Sequence, residues 1–222
     1  MARPRSYDHT LRRSLLDACS EVISRRGVDG VSLRELARGV GTSTAAVYAL
    51  FGGREELIAA VTQEGYSRFA QHLSRVPRTD DPAADLFALG LAYRDSALDD
   101  PHFYRVMFGP APGAAPSSEA PAPAPAPADL GALDGARSHA PSTEQAAAAE
   151  RDEPFRMLRM AVGRLVPEEQ AAAGAYRLWA LVHGLVSLEL AGLLPGTPDQ
   201  RAVEFQQTLR AAGPALLGRR TT

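Results

Sequence analysis

Hydrophobic residues recur every three or four positions along most of this chain, and this spacing predicts helices in almost every segment. The first predicted helix covers about residues 9–26 and ends at Gly27 and the Asp29-Gly30 pair. Its apolar side carries Leu11, Leu15, Ala18, Cys19, Val22 and Ile23. Charged residues occupy the other side, so the pattern predicts a helix that packs on a core along one face.

Two short helices separated by a glycine turn are predicted over residues 32–51. Ser32 and Glu35 have the spacing of a capping box at the start of the first helix. Gly41 suits the left-handed conformation that ends a helix, and Thr42 or Ser43 can cap the helix that follows. This layout is typical of a helix-turn-helix, whose second helix fits the DNA major groove, about 12 Å wide.

The residues at the start of the second short helix are small and hydroxylated, which favours contact with DNA. Small side chains let the backbone approach base edges, and hydroxyls can donate to phosphates or bases. The candidate DNA-binding residues are Ser32, Arg34, Thr42, Ser43, Thr44, Ala45, Ala46, Tyr48 and Arg54. Tyr48 falls off the apolar side, so its hydroxyl can reach a phosphate. For the turn taken alone, the alternative is an ordinary helical hairpin in which these hydroxyls only cap and solvate.

The run LLDACSEVISRRGVDGVSLRELARGVGTSTAAVYALFGGREELIAAV resembles the TetR family of bacterial transcriptional regulators. The resemblance covers about residues 7–63 and implies a three-helix DNA-binding domain followed by a linking fourth helix. The family often carries a lysine just after the aromatic pair that closes the second short helix. This chain has Gly52-Gly53 there, which leaves Arg54 as the expected phosphate ligand.

The remainder of the chain predicts an all-α fold of about nine helices. A larger C-terminal regulatory and dimerisation domain is expected from residues 64–109 and 151–218. Between these segments the chain is rich in proline and alanine, with APAPAPA at 122–128. Prolines block helices and sheets, and the segment has little to bury, so a disordered linker or loop is predicted over 110–150.

The predicted helix at about 167–192 is apolar nearly all round, which predicts burial on more than one face. A partner subunit can cover the second face, so this helix and the one at about 199–217 are predicted to form a homodimer interface. The segment LWALVHGLVSLELAG resembles the C-terminal domain of TetR relatives named for a Trp-His-Gly motif, here Trp179, His183 and Gly184. The alternative for His183 is a buried histidine bonded to backbone, beside a core tryptophan.

The resemblance also implies a small ligand that binds the C-terminal domain and releases DNA. The candidate ligand-binding residues are Leu89, Tyr93, Phe103, Met107, Phe155, Trp179 and His183. Their mainly apolar character predicts an apolar or aromatic ligand. The predicted function is a homodimeric transcriptional regulator, in the first place a repressor, on double-stranded DNA with a near-palindromic operator. The alternatives are a ligand-independent, architectural DNA-binding protein and an activator on the same fold.

Composition narrows the classes of protein to which this chain can belong. The net charge is −2 and all 24 basic residues are arginines, so a DNA-binding surface would be a local positive face. The lone cysteine, Cys19, excludes an intrachain disulfide and suits a reducing cytoplasm. The five histidines lack metal-ligand spacing, and neither a phosphate loop nor a nucleophile elbow is found, so no metal, cofactor or catalysis is expected. No apolar run approaches the ~20 residues that span a bilayer, so no membrane association is expected.

Overall fold

The computed structural model describes residues 5–109 and 143–218, and in these ranges the regular elements are all helices, with no strand. The helices are α1 (Arg5–Arg26), α2 (Leu33–Gly39), α3 (Thr44–Phe51), α4 (Arg54–Ser74), α5 (Pro82–Asp99), α6 (Pro101–Phe108), α7 (Thr143–Gly163), α8 (Glu168–Leu190) and α9 (Pro198–Leu216). A short 3-10 turn, Val28–Gly30, joins α1 to α2. The prediction of an all-α fold is confirmed.

The described helices form two compact units. The first contains α1, α2, α3, α4 as far as Ser67, and α6. Its core is built from one face of each helix, with Leu15, Cys19, Val47, Leu57 and Val61 completely buried. The predicted apolar side of α1 therefore packs inward, and Cys19 is a buried thiol as its position on that side indicates.

α6 belongs to the first unit, whereas the sequence placed it in the C-terminal domain of residues 64–109. Phe103 is buried in the same core as α1, and Val106 packs against that core. His102 Nδ1 also lies 2.6 Å from the hydroxyl of Ser24 in α1. Apolar periodicity predicted the helix correctly, but it does not specify which core the apolar face joins.

The second unit contains α4 from Arg68, α5, α7, α8 and α9. α8 packs closely on its neighbours because Gly174 has no side chain: a Cβ there would lie 3.0 Å from Leu217 and 3.1 Å from Val162. Two ion pairs link helices within this unit. Arg94 of α5 donates to Glu189 of α8 at 2.6 and 2.7 Å, and Arg164 after α7 pairs with Asp85 of α5.

α7 begins at Thr143, so the predicted linker of residues 110–150 is too long at its C-terminal end. Residues 143–150 read TEQAAAAE, and alanine is the strongest helix former. The last proline before this stretch is Pro141, so the composition that argued against a helix ends there. The rest of the predicted linker lies outside the described residues.

Candidate functional site

The first candidate site is the pair α2 and α3, which local sequence signals define at every end. The Ser32 hydroxyl caps α2 by accepting from the Glu35 amide at 3.4 Å, and the Ser43 hydroxyl caps α3 by accepting from the Ala46 amide at 3.2 Å. Gly41 has φ of 70° in the turn between the two helices. The predicted helix-turn-helix of residues 32–51 is therefore present. Only half of the capping box forms, since the Glu35 carboxylate accepts from Arg26 instead.

α3 presents a small, polar outer face. Thr44, Ala45 and Tyr48 are exposed, and Tyr48 has 56% of its surface accessible. Val47 on the opposite face is completely buried in the core. Ser43 is also exposed, whereas Thr42 and Ala46 are half-buried, with Ala46 packed against the core. The residues with the freest access to a groove are thus on one side of one helix.

α2 adds two arginines to this surface. Arg34 and Arg38 are exposed, one turn apart, and neither has a hydrogen bond or an ion pair with any described residue. A guanidinium without an internal partner is available to a phosphate. The DNA-binding residues predicted from the sequence include Arg34 but not Arg38, although the spacing of four residues was the signal that both lie on one face.

Arg54 differs from its expected placement. Its side chain is half-buried, and Nε donates to the carbonyl oxygen of Val31 at 3.0 Å. A terminal guanidinium nitrogen donates to the carbonyl oxygen of Val28. The prediction of Arg54 as a phosphate ligand followed from the Gly52-Gly53 pair that replaces the lysine of the family, and not from the surroundings of Arg54 in the fold. In the structure its bonds go to the carbonyls of the first residue of the 3-10 turn and of the residue that follows the turn.

The second candidate site is an aromatic cluster inside the second unit. The hydroxyl of Tyr93 lies 3.0 Å from Nδ1 of His183. The His183 ring is 5.4 Å from the ring of Trp179, which is 6.3 Å from the ring of Phe155. Tyr176 adds edge-to-face contacts with both Trp179 and Phe155. These separations are typical of attractive aromatic pairs.

Comparison with known proteins decides the family. Residues 15–61 match the family model "Bacterial regulatory proteins, tetR family", and residues 86–212 match "Tetracyclin repressor-like, C-terminal domain". Rv1816, an HTH-type transcriptional regulator of Mycobacterium tuberculosis, is 30% identical over 82% of this chain and 77% of its own. The chain belongs to the TetR family. It is a DNA-binding transcriptional regulator of the helix-turn-helix type.

Two further proteins are similar to this TetR regulator, one in part of its sequence and one in its fold. The nicotine-responsive transcriptional repressor HdnoR of Paenarthrobacter nicotinovorans is 38% identical over 35% of this chain and 39% of its own. The solved structure of the TetR family regulator PfmR from Thermus thermophilus has a TM-score of 0.61 and 17% identity, and the match covers 94% of this chain and 99% of PfmR. At that identity the likeness supports the fold alone.

The seven candidate ligand-binding residues of this TetR regulator fall into both units. Phe103 is buried in the core of the first unit, where Met107 lies beside Gly65. The other five belong to the second unit: Leu89, Tyr93, Phe155, Trp179 and His183. The structure therefore places Phe103 and Met107 in a different unit from the other five residues. The reason is the packing of α6, which spacing along the chain does not reveal.

The ionisable groups at the aromatic cluster and near it on α8 are either neutral or already paired. Burial lowers the pKa of His183 below its usual value of 6.5, so the ring is neutral at neutral pH. Glu189, six residues further along α8, is already paired with Arg94 and Arg201, which hold its pKa low. Among the described residues no cluster of metal-ligating side chains is found, and no helix is long and apolar enough to cross a membrane.

Proposed function

We propose that this protein is a homodimeric repressor that releases its operator when a small apolar or aromatic ligand binds. Each subunit inserts α3 into the major groove of a near-palindromic site, with the two half-sites about one helical turn, roughly 34–36 Å, apart. The observation that carries the proposal is the outer face of α3, where Thr44, Ala45 and Tyr48 are exposed. Beside it lie Arg34 and Arg38, which are exposed and have no hydrogen bond or ion pair with a described residue. Bacterial DNA lies in the cytoplasm, so the protein acts there.

The proposed DNA contacts are of two kinds, contacts to base edges and contacts to phosphates. Thr44 and Ala45 face the base edges, because small residues allow close approach and a threonine hydroxyl bonds to bases. Arg34, Arg38 and Tyr48 bind phosphates. Ser43, which accepts from an amide of its own helix, keeps its hydroxyl proton to donate to a phosphate. Ser32, Thr42 and Ala46 border this surface.

The dimer forms through α8 and α9, whose outer faces carry apolar residues. Leu188 of α8 is 42% exposed and Val203 of α9 is 52% exposed. A Cβ added to Gly184 would meet nothing within 4 Å, so a helix from a partner can approach α8 closely there. Two such helices from each subunit make a four-helix bundle, a common interface geometry.

The ligand binds among Leu89, Tyr93, Phe155, Trp179 and His183. Aromatic and aliphatic side chains with one polar pair, Tyr93–His183, suit a largely apolar molecule with one hydrogen-bonding group. Similarity to the nicotine-responsive HdnoR supports a response to a small molecule. To shift the protein from 99% competent to 99% incompetent for DNA, the ligand must prefer the incompetent state by about 5.5 kcal/mol.

Binding to the intergenic DNA that flanks the protein's own gene tests the regulator. Fluorescence anisotropy against random competitor DNA should show tight, selective binding, and footprinting should show a two-fold symmetric protected region. The flanking DNA and DNA obtained by a genome-wide selection would each be compared with random DNA. If the protein bound neither of them more strongly than random DNA, it would not be a sequence-specific repressor. A reporter gene behind the selected site then separates the modes of action, since a repressor lowers its expression.

Trp179 provides the test of the ligand, because it is the only tryptophan. A compound that releases DNA should change its fluorescence at the same concentrations. The Phe155→Leu variant should weaken the compound's effect on DNA binding, whereas Leu193→Ala, in the exposed turn after α8, should not. Ligands that release DNA without any change in Trp179 emission would refute this placement.

A further inference from the structure

Arg54 connects the two ends of the helix-turn-helix. It is the first residue of α4, directly after the Gly52-Gly53 turn that follows α3. Its guanidinium reaches Val31, which lies directly before Ser32, the cap of α2. One side chain therefore joins the segment that enters α2 to the segment that leaves α3.

The acceptors of Arg54 are the carbonyl of Val28, the first residue of the 3-10 turn between α1 and α2, and the carbonyl of Val31, the residue that follows the turn. The Val28 carbonyl also accepts from the Val31 amide at 3.1 Å, and a positive charge is favourable at the C-terminal end of a helical turn. Val31 is itself buried, with 5% of its surface exposed, so its position is set by the core. A guanidinium can satisfy two separate acceptors with its rigid fork, which a single ammonium group does less well.

We propose that Arg54 is a positioning residue for DNA recognition: it holds α2 and α3 in their relative orientation and does not bind a phosphate. This inference rests on the proposed DNA-binding surface of α2 and α3. It assigns phosphate binding to the exposed Arg34 and Arg38 and leaves the start of α4 without a cation directed at DNA.

Charges around Arg54 agree with an inward role. Burial raises the pKa of the Cys19 thiol to about 12. The positive charge of Arg54 opposes part of that rise, so the guanidinium affects the pKa of a thiol that is buried in the core. On the outer side, Glu55 and Glu56 are exposed. A Cβ on Gly53 would lie 2.7 Å from Oε2 of Glu56, so this carboxylate folds over the Gly52-Gly53 turn. A carboxylate there repels a phosphate.

The salt dependence of DNA binding separates positioning from phosphate contact. Affinity would be measured over a series of KCl concentrations on the duplex that the wild-type protein selects from a random library. Arg54→Gln and Arg34→Gln remove the same charge by the same substitution. A phosphate ligand reduces the slope of log affinity against log salt by about 0.9 when it is lost, which we expect for Arg34→Gln. For Arg54→Gln we expect roughly tenfold weaker binding at every salt concentration, with the wild-type slope.

Arg54→Lys and amide hydrogen exchange complete the test. Lysine keeps the charge but not the fork, so this variant should remain weaker than wild type, and in Arg54→Gln the amides of Gly30 and Val31 should exchange faster. A reduced slope in Arg54→Gln together with full recovery in Arg54→Lys would make Arg54 a phosphate ligand and overturn the proposal. Unchanged exchange would also overturn it. If the wild-type protein selected no sequence, the repressor proposal would fail, while exchange would still report whether Arg54 holds the turn.

Discussion

The Tyr93 hydroxyl and Nδ1 of His183 lie 3.0 Å apart, which joins α5 to α8 inside the second unit. Burial lowers the pKa of His183, and the neutral ring can share this hydrogen bond with the phenol without a charge being buried. The pair is 90 positions apart in the chain. It supplies the polar group of an otherwise aromatic cluster.

His183 should make stability depend on pH. Because its pKa in the folded protein lies below the usual 6.5, the unfolded chain takes up this proton more readily. The stability contribution is therefore complete above pH 6.5 and is lost as the pH falls from 6.5 towards the lower folded pKa. We expect His183→Gln to reduce this loss, measured as the free energy of urea unfolding at a series of pH values.

His72→Gln is the matched control for this titration. His72 lies on α4 in the second unit, so this variant shows what replacing another histidine of the same unit by glutamine does to the pH dependence. Equal pH dependence in wild type and His183→Gln would contradict the prediction.

Tyr48→Phe should weaken binding to all DNA sequences alike. The hydroxyl is exposed on α3, and a lost phosphate contact carries no sequence information. A hydrogen bond to a charged group contributes about 1.5 kcal/mol, so we expect roughly tenfold weaker binding to operator and random duplexes, measured by anisotropy. Tyr176→Phe, on α8, should bind both as wild type does. A loss confined to particular base pairs would instead make Tyr48 a base-reading residue.

Glu189→Gln should destabilise the second unit. The Glu189 carboxylate has 5% of its surface exposed and pairs with Arg94 and Arg201. Removing the anion leaves two guanidinium groups without compensation, and breaking a buried pair from one side costs about 3 kcal/mol. Urea unfolding followed by circular dichroism measures the effect.

The double variant Arg94→Met with Glu189→Leu provides the comparison. Replacing both partners of a buried pair with apolar residues is often neutral, so this variant should recover the part of the lost stability that comes from Arg94, while Arg201 still lacks its carboxylate partner. If Glu189→Gln were as stable as wild type, the pair would contribute nothing to the fold.

Cys19 should resist thiol reagents in the folded protein. Burial raises the pKa of its thiol to about 12, although Arg54 opposes part of the rise, and only the thiolate reacts. We expect negligible labelling by a disulfide reagent at mildly alkaline pH and complete labelling in denaturant. Rapid labelling of folded protein, at a rate faster than global unfolding, would show that α1 opens locally.

The helix-turn-helix was predictable in detail because its signals are local. Ser32, Gly41 and Ser43 mark helix ends through bonds to residues within one turn, and the structure confirms each of these positions. The exposure of Tyr48 followed from the same periodicity that buried Val47. The start of α7 was predicted too late in the chain, because the proline-rich composition was given more weight than the run of alanines.

The sequence by itself determined the helices and the family, since periodicity, caps and motif order depend on residues close together in the chain. Only the tertiary structure decided which core α6 joins, and hence that Phe103 and Met107 belong to a different unit from the other five candidate ligand-binding residues. It also decided that Arg54 binds carbonyls 23 and 26 positions away. Such partners depend on how helices pack, and an apolar face or a free guanidinium can be satisfied by any surface that the fold brings to it.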